Sequence, residues 1–142
     1  MSQEFIEKKL DQIRTLIEQL EEIFTRSFLE FQKDLLAVRA AERNFQLLAD
    51  IASDISGQIL LERGKQMPDT YRQSFLDLGR EGILPAGLAE TLAQSAKLRN
   101  ILVHEYDFDE DYERFYASAK TFLPAYIEYL EVIQKTINAT EK

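Results

Sequence analysis

Ile6, Leu10, Ile13, Ile17, Leu20 and Phe24 recur at intervals of four and three, with Glu, Lys, Arg and Gln between them. That rhythm lays one apolar stripe along a helix whose other faces stay polar, and it predicts a first long helix. Ala41, Phe45, Leu48, Ala52, Ile55 and Ile59 repeat the spacing, and Gly64 soon afterwards supplies a C-terminal stop for a second long helix. Across residues 27–34 the period blurs. Ser27 or Asp34 can cap a new helical start there, and the pattern leaves the form of this stretch open.

Residues 64–69 read as a loop, after which Asp69 or Thr70 can cap a short helix carrying Tyr71, Phe75 and Leu78 on one side. Gly79, Gly82 and Pro85 punctuate the chain, and a further helix from about Pro85 runs through Leu88, Leu92, Leu98, Ile101 and Leu102. Asp107, Asp109 and Glu110 place negative charge where a last helix would begin. Its stripe is Tyr112, Phe115, Tyr116, Ala119, Phe122, Leu123, Tyr126, Leu130, Ile133 and Ile137, and Pro124 within it predicts a kink. The expectation is an all-α fold: one domain over residues 1–142, a bundle of about five helices. The Ile-, Phe- and Tyr-rich stripes of the first and last helices point to a partner helix.

Composition narrows the class without changing that picture. Five glycines, three prolines and no cysteine in 142 residues favour helices, exclude disulfides and thiolate metal sites, and fit a reducing compartment, so a cytoplasmic protein is expected. No stretch approaches the roughly 20 apolar residues that span a bilayer, and the N-terminus lacks the pattern of a secretory signal. With 17 basic against 25 acidic residues the net charge is −8, which argues against loose, charge-driven binding of DNA or RNA and requires any nucleic-acid contact to be local.

The string Arg99-Asn100-Ile101-Leu102-Val103-His104-Glu105-Tyr106 holds the only histidine of the chain. An imidazole both takes and gives a proton near neutral pH, and a guanidinium presents parallel N–H donors that match two phosphate oxygens. On an ideal helix Arg99 and His104 stand about 140° apart, while Asn100 and His104 share a face. The same spacing admits an ordinary reading, in which Arg99 pairs with a nearby carboxylate and His104 complements the negative end of its helix. Glu105, Asp107, Asp109, Glu110, Asp111 and Glu113 do not form a calcium loop: one starting at Asp107 would put Tyr112 at the glycine place and Ser118 at the bidentate place. Arg39, Glu42, Arg43 and Asp54 read as solvated or loosely paired charges on polar faces. Phosphate-loop, dinucleotide, serine-hydrolase and zincin motifs are absent. An enzyme with one histidine and no cysteine needs a substrate that carries its own nucleophile, and RNA does, in its 2′-hydroxyl.

The R-x4-H-x-Y string with its asparagine resembles the core of HEPN-domain proteins. Ala40-Ala41-Glu42-Arg43-Asn44, Asp54 and Met67-Pro68-Asp69-Thr70-Tyr71 extend the likeness over nearly the whole chain, specifically to the HepT toxins of MntA–HepT toxin–antitoxin systems. The resemblance implies a helical homodimer whose two motifs face one cleft, working as a metal-independent endoribonuclease on tRNA or mRNA without a cofactor. It assigns Arg99 and His104 to catalysis, Asn100 to a supporting polar contact, and Tyr106 to AMPylation by a cognate MntA-like nucleotidyltransferase antitoxin. The alternative it leaves is a non-catalytic HEPN scaffold that binds a partner nucleotidyltransferase or a nucleotide; a helical adaptor with no site is a third reading.

Overall fold

The computed structural model describes residues 3–102 and 112–140, and every regular element among them is helical. The helices are α1 (Gln3–Ile23), α2 (Phe28–Lys33), α3 (Leu35–Glu62), α4 (Tyr71–Arg80), α5 (Ala86–Asn100) and α6 (Tyr112–Thr140). The all-α expectation holds, with α2 as an addition to the five helices read from the pattern. His104, Tyr106 and the acidic residues 105, 107 and 109–111 lie outside the described residues.

The stretch left open by periodicity uses both of its candidate caps. Ser27 Oγ accepts from the Glu30 amide at 3.2 Å while the Glu30 carboxylate accepts from the Ser27 amide at 3.1 Å, a reciprocal cap that starts α2. One residue past α2, Asp34 accepts from the Ala37 amide and starts α3. At the other end of α3, Gly64 takes φ +77°, which lets its amide reach the Leu61 carbonyl and that of Lys65 reach Leu60. Gly82, at φ +75°, closes α4 in the same way. α6 runs through Pro124 to Thr140; the proline lies on its exposed face, where the missing N–H is tolerated at the lowest cost.

Side-chain pairs give the directions of the long helices. Asn44 bonds Gln19 and Asp54 meets Lys9, so α1 and α3 are antiparallel. Gln3 donates to the Ile137 carbonyl and Tyr116 to that of Arg26, so α1 and α6 are antiparallel too. Arg39 donates to Tyr112 Oη and Ser56 pairs with Tyr129, so α3 and α6 run parallel. α4 and α5 form a hairpin against them. Through the middle passes a chain of edge-on aromatic contacts, Phe115 to Phe45 to Tyr126 to Phe75 to Tyr129, with centroids 5.9–6.4 Å apart.

Two details differ from the sequence reading. Glu42 is buried rather than solvated, bonded through one carboxylate oxygen to Arg39 at 2.9 Å. Gly79 does not interrupt the chain but sits inside α4, where an added Cβ would lie 2.8 Å from the Ala89 methyl of α5. The hairpin is therefore closed by the absence of a side chain. Gly79→Ala gains helix propensity but overpacks this contact, and the net effect is a loss of about 1–2 kcal/mol in urea unfolding. An unchanged or raised midpoint would show that α4 and α5 do not approach so closely.

Candidate active site

Three helices converge on Arg99. It stands in the last turn of α5, where Lys97 and Arg99 complement the negative end of the helix dipole. Its side chain is only 17% exposed, too deep for the charge to rely on water alone. The partner is Asp50 of α3, whose Oδ1 accepts from Arg99 Nε at 2.9 Å. Tyr71, the first residue of α4, lies under the guanidinium, with the ring centroid 4.5 Å from Cζ. Its phenol also faces the Asp50 carboxylate. Burial, and then the neighbouring Asp50 carboxylate, push the Tyr71 pKa up to about 12, with the Arg99 charge opposing.

One carboxylate thus fixes the guanidinium and lies beside the phenol that supports it. Asp50 occupies the Nε–H and Tyr71 covers a face, which leaves the N–H groups on Nη1 and Nη2 to meet an incoming acceptor. Among the described residues their protein contact is a long one, 3.4 Å from Nη1 to Asn100 Oδ1. Two parallel N–H donors on a guanidinium held in plane suit the oxygens of a phosphate.

Of the residues singled out in the sequence, Arg99 and Asn100 are adjacent here, Arg99 half-buried and Asn100 exposed at the end of α5. His104 and Tyr106 are outside the described residues. The ordinary reading of Arg99, a pairing with a carboxylate, is present in the structure, and it is compatible with phosphate binding because that pairing is made through Nε. Sequence reasoning missed Asp50, although a lone aspartate within Leu47-Leu48-Ala49-Asp50-Ile51-Ala52 is a signal of a polar group placed for a partner. It also set Tyr71 with Phe75 and Leu78 in the core. Phe75 and Leu78 are buried, whereas Tyr71 is half-buried and turned to Arg99. Among the described residues no group of three or more His, Asp or Glu side chains is placed to hold a metal ion, and no helix is long and apolar enough to cross a membrane.

A family model described as ribonuclease HepT-like matches residues 13–133. The chain is 32% identical over 139 residues, 96% of its length and 92% of the relative's, to a protein of Aphanizomenon flos-aquae named tRNA nuclease HepT. It is 24% identical over 103 residues, 72% of this chain and 77% of the other, to one of Shewanella oneidensis named mRNA nuclease HepT. In fold it is similar to a solved structure described as a tri-AMPylated Shewanella oneidensis HEPN toxin in complex with an MNT antitoxin. That likeness has a TM-score of 0.82 and 21% identity over 95% of this chain and 99% of that one.

The raised Tyr71 pKa has a thermodynamic consequence. Between its ordinary value of 10.0 and about 12 the folded chain keeps the phenol proton that the unfolded chain sheds. The resulting stabilisation is complete below pH 10 and is lost as pH rises through about 12. Wholly buried Tyr126 and Tyr129 are shifted upward for the same first reason, burial. Phenolate absorbance should therefore show only part of the six tyrosines titrating near pH 10 and the rest appearing with unfolding. All six titrating together in a chain still folded by circular dichroism would contradict this assignment.

Proposed function

The chain belongs to the ribonuclease HepT-like family, and on that premise we propose that it is the toxin of a type VII-like toxin–antitoxin pair, a metal-independent endoribonuclease acting on tRNA or mRNA. The observation that carries this reading is the Arg99 guanidinium at the end of α5, held through Nε by Asp50 and over the Tyr71 ring, with only a long Nη1 contact to Asn100 besides these among the described residues. The names of the two relatives, a tRNA nuclease and an mRNA nuclease, support the substrate class.

In this mechanism His104 removes the proton of a ribose 2′-hydroxyl. The O2′–P bond forms as the P–O5′ bond breaks, leaving a 2′,3′-cyclic phosphate, and the 5′-oxygen recovers a proton from an imidazolium. Arg99 donates to the non-bridging oxygens as negative charge builds on them, the point at which donors held in place contribute most to rate. Asn100 lends a supporting polar contact. A homodimer with both motifs on one cleft supplies a second His104, so that one imidazole acts as base and the other as acid.

Regulation in this reading passes through Tyr106. A cognate nucleotidyltransferase of the MntA kind transfers AMP from ATP to the phenol oxygen and releases pyrophosphate. The added bulk and phosphate charge, two residues from His104, fill the cleft and repel RNA. The AMPylated, antitoxin-bound state described for the Shewanella oneidensis neighbour supports this proposal.

Cleavage of total cellular RNA in EDTA is the test, comparing the unsubstituted protein with His104→Ala. The unsubstituted protein should cut, and the variant should lose at least about 100-fold in rate while keeping its circular dichroism and oligomeric state. If neither cuts and the intact mass shows no AMP, the ribonuclease reading fails and the non-catalytic scaffold takes its place.

A further inference from the structure

Tyr71 has two environments. Its ring carries Arg99, and the same residue lines a cavity of about 320 Å³ between α1, α3 and the loop of residues 66–70. That volume is within the range of small-ligand sites, roughly 300–1,000 Å³. The walls are of two kinds. Phe5, Met67 and Tyr71 offer flat or polarisable apolar surface, and Asp54 and Asp69 offer carboxylates. Asp54 is 59% exposed and offset by Lys9 at 3.6 Å, so its oxygens remain open to a further donor.

The loop wall is seated by a missing side chain. Gly57 lies buried in the interior of α3, where glycine costs a helix about 0.5–1 kcal/mol relative to alanine. A Cβ there would lie 2.6 Å from Met67 Sδ. α3 gives up propensity at the position where Met67 closes onto its backbone, which fixes the far wall of the cavity.

We propose that this cavity is a base subsite, holding the nucleobase next to the phosphate gripped by Arg99, and that its carboxylates select guanine. The inference rests on the ribonuclease reading and adds the identity of the flanking base. Single-stranded RNA is read by splaying a base out, stacking it on aromatic surface and bonding its edge. A carboxylate only accepts hydrogen bonds. Guanine presents N1–H and N2–H₂ side by side and meets a carboxylate with two bonds. Adenine and cytosine present one amino group beside a ring-nitrogen acceptor, and uracil flanks its one N–H with two carbonyls that a carboxylate repels. Tyr71 joins the two functions, since the residue whose ring supports the phosphate grip also lines the base cavity.

Sequencing the ends produced from a randomised single-stranded RNA pool tests the proposal, with binding of guanosine and uridine 5′-monophosphates followed by NMR as a readout that needs no cleavage. Guanine should exceed uracil about tenfold or more on one side of the cut. In Asp54→Asn that ratio should fall below about threefold, because an amide can also donate to the uracil carbonyls. The ratio is the readout, since removal of any carboxylate strengthens binding of any polyanion. Cleavage without base preference, or a preference unchanged in Asp54→Asn, overturns the subsite and leaves the ribonuclease standing. Absence of cleavage together with guanosine-selective binding that Asp54→Asn weakens overturns the ribonuclease and leaves the subsite standing; equal binding of both nucleotides without cleavage overturns both.

Discussion

Asp50 holds Arg99, and the candidate chemistry hangs from that contact. A free arginine at a helix end samples many rotamers, and ordering it costs about 2 kcal/mol of side-chain entropy. Here that ordering is done before any ligand arrives: one carboxylate accepts from Nε, and the ring of Tyr71 limits the guanidinium from below. The pair is also a burial constraint. With Arg99 at 17% and Asp50 at 27% side-chain exposure, neither charge is well hydrated, so loss of one leaves the other poorly compensated. Positioning and stability are thus the same interaction seen from two sides.

α3 is the element against which the others are placed. It gives Asp50 to α5, the Ser53 hydroxyl to Ser74 of α4, and the Ala52 carbonyl and Ser56 hydroxyl to Tyr129 of α6. Tyr126 bonds Ser95 at 2.7 Å, one helical turn before Arg99, and so pins α6 to the part of α5 that carries the site. Buried hydroxyls are costly unless partnered, and both tyrosines are partnered, which makes these bonds specific about register as well as stabilising. The apolar stripes bring the helices together; the few polar pairs decide where along their lengths they stop.

Periodicity carried most of the fold because each long helix buries one face, and Ile6 through Phe24 or Ala41 through Ile59 show that face in the spacing. α2 was harder to read: six residues are too short to establish a period, and only the caps at Ser27 and Asp34 mark it. Gly79 was read as a break because a glycine's propensity cost is visible in sequence, whereas the Ala89 methyl that requires it is a contact between helices. The site divides in the same way. Arg99 stood out through its neighbours in the string, but Asp50 lies 49 residues away and is joined to it only by the packing of α3 on α5. Tyr71 has the spacing of a core residue, and it leaves the core because it opens α4 beside the cavity.

An excess of acidic residues, −8 in net charge, is a poor surface for a polyanion, so the proposed RNA binding has to rest on local geometry more than on the overall field. The central claim is that Asp50 makes Arg99 a preset phosphate grip, and a double-mutant cycle on RNA cleavage with Asp50→Asn and Arg99→Lys measures it most directly. Each change alone should lower kcat/KM by about tenfold or more, and the double variant should be little worse than Arg99→Lys, a coupling of about 1–3 kcal/mol. Losses that simply multiply, or an Asp50→Asn variant that cleaves like the unsubstituted protein, would contradict the account.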